Sequence, residues 1–273
     1  MSARWTKMSR QLDRAPEIFR CARVCAQWLP LTLAYAGLKR LPYPYQVSFR
    51  DGGLIRLEDF FDLTTFWSTF FRPSYPVSPA AAVILDAGAN IGAFTLYAAR
   101  TAPSARIFAI EPFGPTFERL TDTVAANRLS ARVTCLQRAL GGQEGFAHMT
   151  GHAQPSQFRE VVREAGQSTV PVTMTTLEAI LQAHAIERVD VLKMDIEGAE
   201  YPALSRAPAD VLRRIRRICL EYHPTYAGEP CSKDALFAHL SDAGFALVFD
   251  KPDGEGYGVA CLQLDEAAAS RRE

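Results

Sequence analysis

Val83-Ile84-Leu85-Asp86-Ala87-Gly88-Ala89-Asn90-Ile91-Gly92 is the stretch on which the reading of the whole chain turns. A short apolar run carrying one acid enters a turn with two glycines, and residues 92–100 continue at helical spacing. Strand, tight turn and helix in that order form the place where open α/β sheets receive nucleotide-like ligands. Glycines at 88 and 92 let the backbone approach a ligand closely. Downstream the alternation repeats, with strands expected at 106–110, 133–137, 189–194, 215–222, 245–249 and 257–264. Helices are expected at 116–127, 176–185 and 232–243. Strands separated by helices pair in parallel through right-handed crossovers, so the expected fold is a doubly wound α/β sheet. Residues 150–170 are polar and aperiodic and read as a loop.

Charge chooses between the ligands that such a turn can hold. A dinucleotide site uses G-x-G-x-x-G and holds a pyrophosphate at the helix N-terminus. Here the spacing is G-x-x-x-G, and Asp86 stands two residues before the first glycine. A carboxylate there disfavours a diphosphate and favours S-adenosylmethionine, which carries an ammonium and a sulfonium. Glu111, 19 residues beyond Gly92 at the end of the next strand, is placed to accept hydrogen bonds from ribose hydroxyls.

Two further segments close strands at the same edge. Lys193-Met194-Asp195-Ile196-Glu197-Gly198-Ala199-Glu200 follows one strand, and Glu221-Tyr222-His223-Pro224 ends the next. Acids, a lysine and a histidine converging beside a cofactor are more often functional than incidental. Moving a methyl group onto an acceptor that must lose a proton requires alignment and a base for that proton. His223 has the fitting intrinsic pKa and is preferred slightly to Asp195 as that base, with capping of a strand end against Glu221 as its plain structural alternative. Glu197 is expected to orient the acceptor, and Lys193 to pair with an acid or bind substrate. Because that lysine already offsets the acids, no metal is expected.

The chain has 273 residues, 48% of them hydrophobic, and 30 basic residues balance 30 acidic ones. This composition excludes disorder, and the absence of net charge gives no field that would gather nucleic acid. The charge is uneven, however. Residues 1–40 hold Lys or Arg at 4, 7, 10, 14, 20, 23, 39 and 40 against Asp13 and Glu17, a surplus of six. Within them 24–38 is mostly apolar yet too short to span a bilayer. Residues 1–44 therefore read as a basic amphipathic helical segment. Packing on the catalytic domain is favoured over peripheral contact with a membrane. A β-hairpin around Asp51-Gly52-Gly53 and an aromatic helix, whose stripe reads as core or as part of a substrate lid, fill 45–80. The donor-binding domain fills 81–265 and a tail 266–273. Six scattered cysteines without paired spacing fit reduced thiols and a cytoplasmic setting.

Asp86–Gly92, Glu111-Pro112, Lys193–Glu200 and Glu221-Tyr222-His223 together resemble the motifs of FkbM-family S-adenosylmethionine-dependent methyltransferases. The likeness covers roughly residues 45–250. Its specific part is the K-x-D-x-E-G-A-E block, since glycine loops of this kind are general to class I methyltransferases. The resemblance implies a seven-stranded, mostly parallel, Rossmann-like sheet. It also implies O-methylation of a hydroxyl on a small molecule, sugar or glycan, or natural-product intermediate, with S-adenosylhomocysteine as product. The donor-binding residues expected are Asp86, Gly88, Asn90, Gly92, Glu111, Pro112, Arg138, Ala139 and Asp195; the catalytic ones are His223, Asp195, Glu197, Lys193 and Glu221. Two alternatives remain open. A nucleic-acid methyltransferase could use the basic run Arg213, Arg214, Arg216 and Arg217, and a non-catalytic module could bind the donor without turnover.

Overall fold

The computed structural model describes residues 15–72, 74–150, 161–162, 169–254 and 256–265. Helices α1 (Ala15–Val24) and α2 (Trp28–Tyr35) precede a hairpin of β1 (Tyr45–Ser48) and β2 (Leu54–Leu57), and α3 (Phe60–Phe71) follows. Then come β3 (Val83–Ala87), α4 (Ala93–Thr101), β4 (Arg106–Ile110), α5 (Gly114–Ala126), β5 (Val133–Leu136), β6 (Ala139–Leu140), β7 (Gly145–Thr150), β8 (Val161–Val162) and β9 (Thr169–Thr175). The remainder is α6 (Leu177–Ala183), β10 (Val191–Met194), α7 (Glu200–Ser205), α8 (Ala209–Arg213), β11 (Arg217–Tyr222), β12 (Thr225–Tyr226), β13 (Glu229–Pro230), α9 (Lys233–Asp242), β14 (Phe245–Pro252) and β15 (Gly258–Leu264).

Seven strands form the central sheet in the order β14-β15-β11-β10-β3-β4-β5. β11, β10, β3, β4 and β5 run parallel, and β15 is antiparallel to both its neighbours. The expected doubly wound, mostly parallel sheet is therefore present. Its order reverses between β3 and β10, so a crevice opens at their carboxyl ends, where such sheets bind ligands. One face buries Leu181, Leu204, Leu212 and Leu240 of the later helices; the other buries Phe94, Ala98, Leu120 and Val124 of α4 and α5.

Two sequence readings are corrected. The helical segment read over 1–44 is broken, in its described part, into α1 and α2, because residues 25–27 between them leave the helix to pair with the hairpin. Ala26 N donates to Ser48 O at 2.9 Å and Arg50 N to Val24 O at 2.9 Å. Ser48 N donates to Gln27 Oε1 at 2.9 Å. The supposed loop 150–170 begins and ends in strand, since β7 pairs antiparallel with β9 and with β8 in a second sheet ordered β6-β9-β7-β8. In β9 the apolar Val170, Val172 and Met174 recur at period two, a signal too short to weigh against its polar surroundings. Residues 151–160 and 163–168 of that reading lie outside the described residues, as do 1–14 and 266–273.

The N-terminal segment packs on this frame. Cys21, Leu31, Val47, Ile55, Phe66, Trp67 and Phe71 form one buried cluster with Ile91, Ala93 and Leu96 beside the glycine turn. Asn127 at the end of α5 clasps the hairpin, accepting from Leu54 N at 2.9 Å and donating to Leu54 O at 2.6 Å. Among the described residues no helix is long and apolar enough to cross a membrane.

Candidate active site

The turn after β3 is built by backbone conformation. Gly88, Asn90 and Gly92 have φ of +73°, +49° and +84°. A Cβ at Gly88 would lie 1.8 Å from the Asp195 carbonyl oxygen, so only glycine lets β3 and β10 lie this close beyond their strands. Glu111 Oε2 accepts from Asn90 N at 3.0 Å, and its Oε1 accepts from Phe113 N at 3.0 Å. Two backbone amides thus fix one carboxylate at the edge of the crevice.

Asp86 does not face the crevice as the charge argument supposed. It sits inside β3, fully buried, and accepts from Thr95 Oγ1 at 2.6 Å. Lys193 is its register partner on β10, with Nζ 3.3 Å from Asp86 Oδ1. The same ammonium donates to Gly88 O at 2.8 Å and lies 4.0 Å from Asp195 Oδ2. Burial disfavours the charge on Lys193, but Asp86 and Asp195 outweigh it and hold the pKa above the usual lysine value. Asp86 and Lys193 therefore form a buried pair that pins the glycine turn.

A cavity of about 400 Å³ runs from this turn to α3. That volume is within the range of small-ligand sites. Gly88, Asn90, Glu111, Pro112, Arg138 and Ala139 line one end; Lys193, Asp195, Glu197 and Glu221 line the middle. Of the expected residues, Asp86, Gly92 and His223 are outside its wall. Gly92 is instead the N-cap of α4. His223 lies behind Glu197, 5% exposed, with Nδ1 2.5 Å from Glu200 Oε1 and Nε2 3.3 Å from Glu197 Oε2.

This cluster of acids is electrostatically crowded. Burial first, and then Asp195, push Glu197 up to about 8 and Glu221 to about 7. His223 is pushed up to about 9: burial lowers it, but the hydrogen bond and charge of Glu200 more than compensate. Ligand atoms of Asp195, Glu197 and His223 lie within 4.8 Å of one another. Lys193 already supplies positive charge beside them, and no metal is assigned.

The far wall is the aromatic helix that the sequence offers as core or as part of a substrate lid, but its polar lining residues are not singled out there. Thr64, Thr65, Ser68 and Thr69 of α3 face the cavity one helical turn apart, followed by Arg72, with Tyr35 and Tyr75 alongside. Thr64 and Ser68 donate their hydroxyl protons to the carbonyls of Phe61 and Thr65, at 2.7 and 3.0 Å. Their oxygens are left as acceptors. Tyr35 stacks on Trp67 with ring centroids 4.4 Å apart. Glu17 of α1 accepts from Trp67 Nε1 at 2.7 Å and Arg72 Nε at 2.6 Å, bracing this wall from outside. The apolar period of α3 was legible, but the hydroxyls between its aromatic residues form no motif.

The Methyltransferase FkbM domain matches residues 86–247, more than half of the chain. Methyltransferase sdnD of Sordaria araneosa is 29% identical over 206 residues, covering 64% of this chain and 78% of that one. The 31-O-demethyl-FK506 methyltransferase FkbM of Streptomyces tacrolimicus is 24% identical over 171 residues, covering 52% of this chain and 65% of that one. The crystal structure of Methyltransferase FkbM from Methylobacillus flagellatus KT superposes with a TM-score of 0.49 at 14% identity, covering 93% of this chain and 60% of that one. The chain thus spans less than two thirds of the length of these last two proteins. With a glycine turn that admits no Cβ and an amide-fixed Glu111 fitting the donor, the chain belongs to the FkbM family of S-adenosylmethionine-dependent methyltransferases.

Proposed function

We propose that this chain methylates a hydroxyl group of a small, oxygen-rich acceptor seated between α3 and the acids after β10. The observation that carries this reading is the continuity of one cavity from Glu111 to the hydroxyls of α3, with Asp195, Glu197 and Glu221 between. S-adenosylmethionine, when bound, supplies an electrophilic methyl group. On this reading Glu111 receives the ribose hydroxyls, Gly88 and Asn90 admit the donor, and Pro112, Arg138 and Ala139 close around it. The threonine and serine oxygens accept hydrogen bonds from acceptor hydroxyls, and the aromatic rings of Tyr35 and Tyr75 offer flat apolar surface, a combination suited to a sugar or hydroxylated natural product. The name of the Streptomyces relative, an O-demethyl product methyltransferase, supports transfer to oxygen.

The basic run favours a small acceptor over nucleic acid. Arg214 donates to Glu187 O at 3.0 Å, Arg216 pairs with Asp190 at 3.3 Å and Arg217 donates to Gln263 at 2.9 Å, all at the start of β11 and away from the cavity. Phe19, Leu29 and Leu38 are exposed near Arg20, Arg23, Lys39 and Arg40, which supports peripheral contact with an anionic membrane; flotation with phosphatidylglycerol vesicles tests it.

The main reading is tested by incubating the protein with methyl-labelled S-adenosylmethionine and hydroxylated acceptors, sugars and glycosides first. Labelled methyl ether is expected. Label on nitrogen or carbon, or tight S-adenosylhomocysteine binding with no turnover on any acceptor, would sink it.

A further inference from the structure

Three side chains stand in line behind the cavity wall. Glu200, the first residue of α7, is fully buried and meets His223 Nδ1 at 2.5 Å; His223 Nε2 faces Glu197 Oε2 at 3.3 Å. Of the three, only Glu197 borders the cavity. Its backbone has a φ of +55°, unfavourable for a residue with a side chain. Gly198 follows at +92°, where a Cβ would lie 2.1 Å from the Thr225 carbonyl oxygen. The surrounding structure therefore imposes this turn, and its result is to bring the Glu197 carboxylate to the wall.

We propose that Glu197 receives the acceptor's proton, and that His223, braced by Glu200, is a positioning residue that fixes this carboxylate. The inference deepens the methyl-transfer reading and rests on it. As the acceptor oxygen bonds to the methyl carbon, the carbon–sulfur bond breaks with its electron pair leaving on sulfur, and the hydroxyl proton passes to Glu197 and later to water. Position excludes His223 from that first contact, because the Glu197 carboxylate stands between its ring and the cavity.

The charges around Glu197 set its behaviour with pH. Asp195 faces it from its own turn, Glu200 from α7, and Glu221 and His223 from β11 and its end. Lys193 offsets Asp195, and Tyr75 lies 3.4 Å from Glu221. With Glu197 near 8 and His223 near 9, the carboxylate becomes available as a base while the ring still carries its proton.

Two readouts on the full chain test this. Histidine labelled with ¹⁵N and ¹³C, with His223 assigned through H223Q among five histidines, follows the ring across pH. Turnover against pH is measured in parallel. In the wild type, His223 is expected to stay protonated through a rise in rate centred near pH 8. E197Q should abolish that rise and lower turnover about 10²–10⁴-fold at unchanged S-adenosylhomocysteine affinity. It should also shift the His223 titration downward, since a carboxylate is lost. H223Q retains an amide N–H toward Glu197 but not the positive charge, so the rise should survive, displaced to higher pH. The proposal is overturned if His223 titrates together with the rate and the rise vanishes in H223Q but persists in E197Q. Activity lost in chelator and restored by magnesium would overturn it too. Absence of turnover on every acceptor defeats the methyl-transfer reading instead, while an unshifted His223 titration in E197Q defeats this pairing alone.

Discussion

The two ends of the cavity are built in different ways. At the donor end, shape comes from the main chain: left-handed residues at 88, 90 and 92, a glycine pressed against the Asp195 carbonyl, and a glutamate fixed by backbone amides. At the α3 end, shape comes from side chains on an ordinary helix and from Tyr35 beside it, held from behind by Glu17 and Trp67. A main-chain site tolerates few residues at each position and so leaves a motif. A wall of side chains can be changed one residue at a time without altering the helix, which lets one donor site serve many acceptors.

That difference can be broken most directly at Gly88. G88A must place a methyl group against a backbone carbonyl while adopting a φ of +73°. The expected result is loss of measurable S-adenosylhomocysteine binding by calorimetry, with destabilisation of roughly 1–3 kcal/mol or more from the strained conformation alone. Retained donor affinity in G88A would show that the turn is adaptable, and the contrast between the two ends would fall.

Glu111 is the next test. Removing its carboxylate in E111A deletes two hydrogen bonds to backbone amides and the groups offered to the ribose. Charge-assisted hydrogen bonds contribute roughly 1.5–3 kcal/mol each, so donor affinity should fall at least about tenfold. Acceptor KM, measured at saturating donor, should change little. Unchanged donor affinity would remove Glu111 from the donor site.

The same contrast explains what was legible in the sequence. The strand–turn–helix at 83–100, the acid at 111 and the block at 193–200 each lie within a few residues of a sheet edge, and the sheet order brings those edges together. The direction in which Asp86 points is not legible for a related reason. Its position in the strand was plain, but which face it points to depends on Lys193, more than a hundred residues away. His223 was likewise placed at the correct edge, while its concealment behind Glu197 depends on a left-handed turn that spacing does not reveal. The α3 wall was least visible. Thr64, Thr65 and Ser68 look like solvated helix positions, and only the packing of Tyr35 and Arg72 beside them makes a cavity.

The smallest effect is expected from the brace itself. Glu17 lies outside the cavity, yet its carboxylate accepts from both Trp67 Nε1 and Arg72 Nε. E17Q keeps the size of the side chain and one acceptor oxygen but loses the charge. Its pair with Arg72 is partly exposed, with the arginine side chain 41% accessible, so solvent screening limits the stability cost to about 1 kcal/mol or less. The consequence should be local. Arg72 lies over Tyr35 at 5.5 Å and both border the cavity, so a loosened Arg72 should raise acceptor KM a few-fold. Donor affinity should stay at the wild-type value, because Gly88, Asn90 and Glu111 are held by contacts that do not include α1. A rise in acceptor KM without loss of donor binding would establish that the N-terminal helix supports only one end of the cavity. Equal losses at both ends would mean that the brace carries the whole cavity and that the division drawn between main-chain and side-chain walls is false.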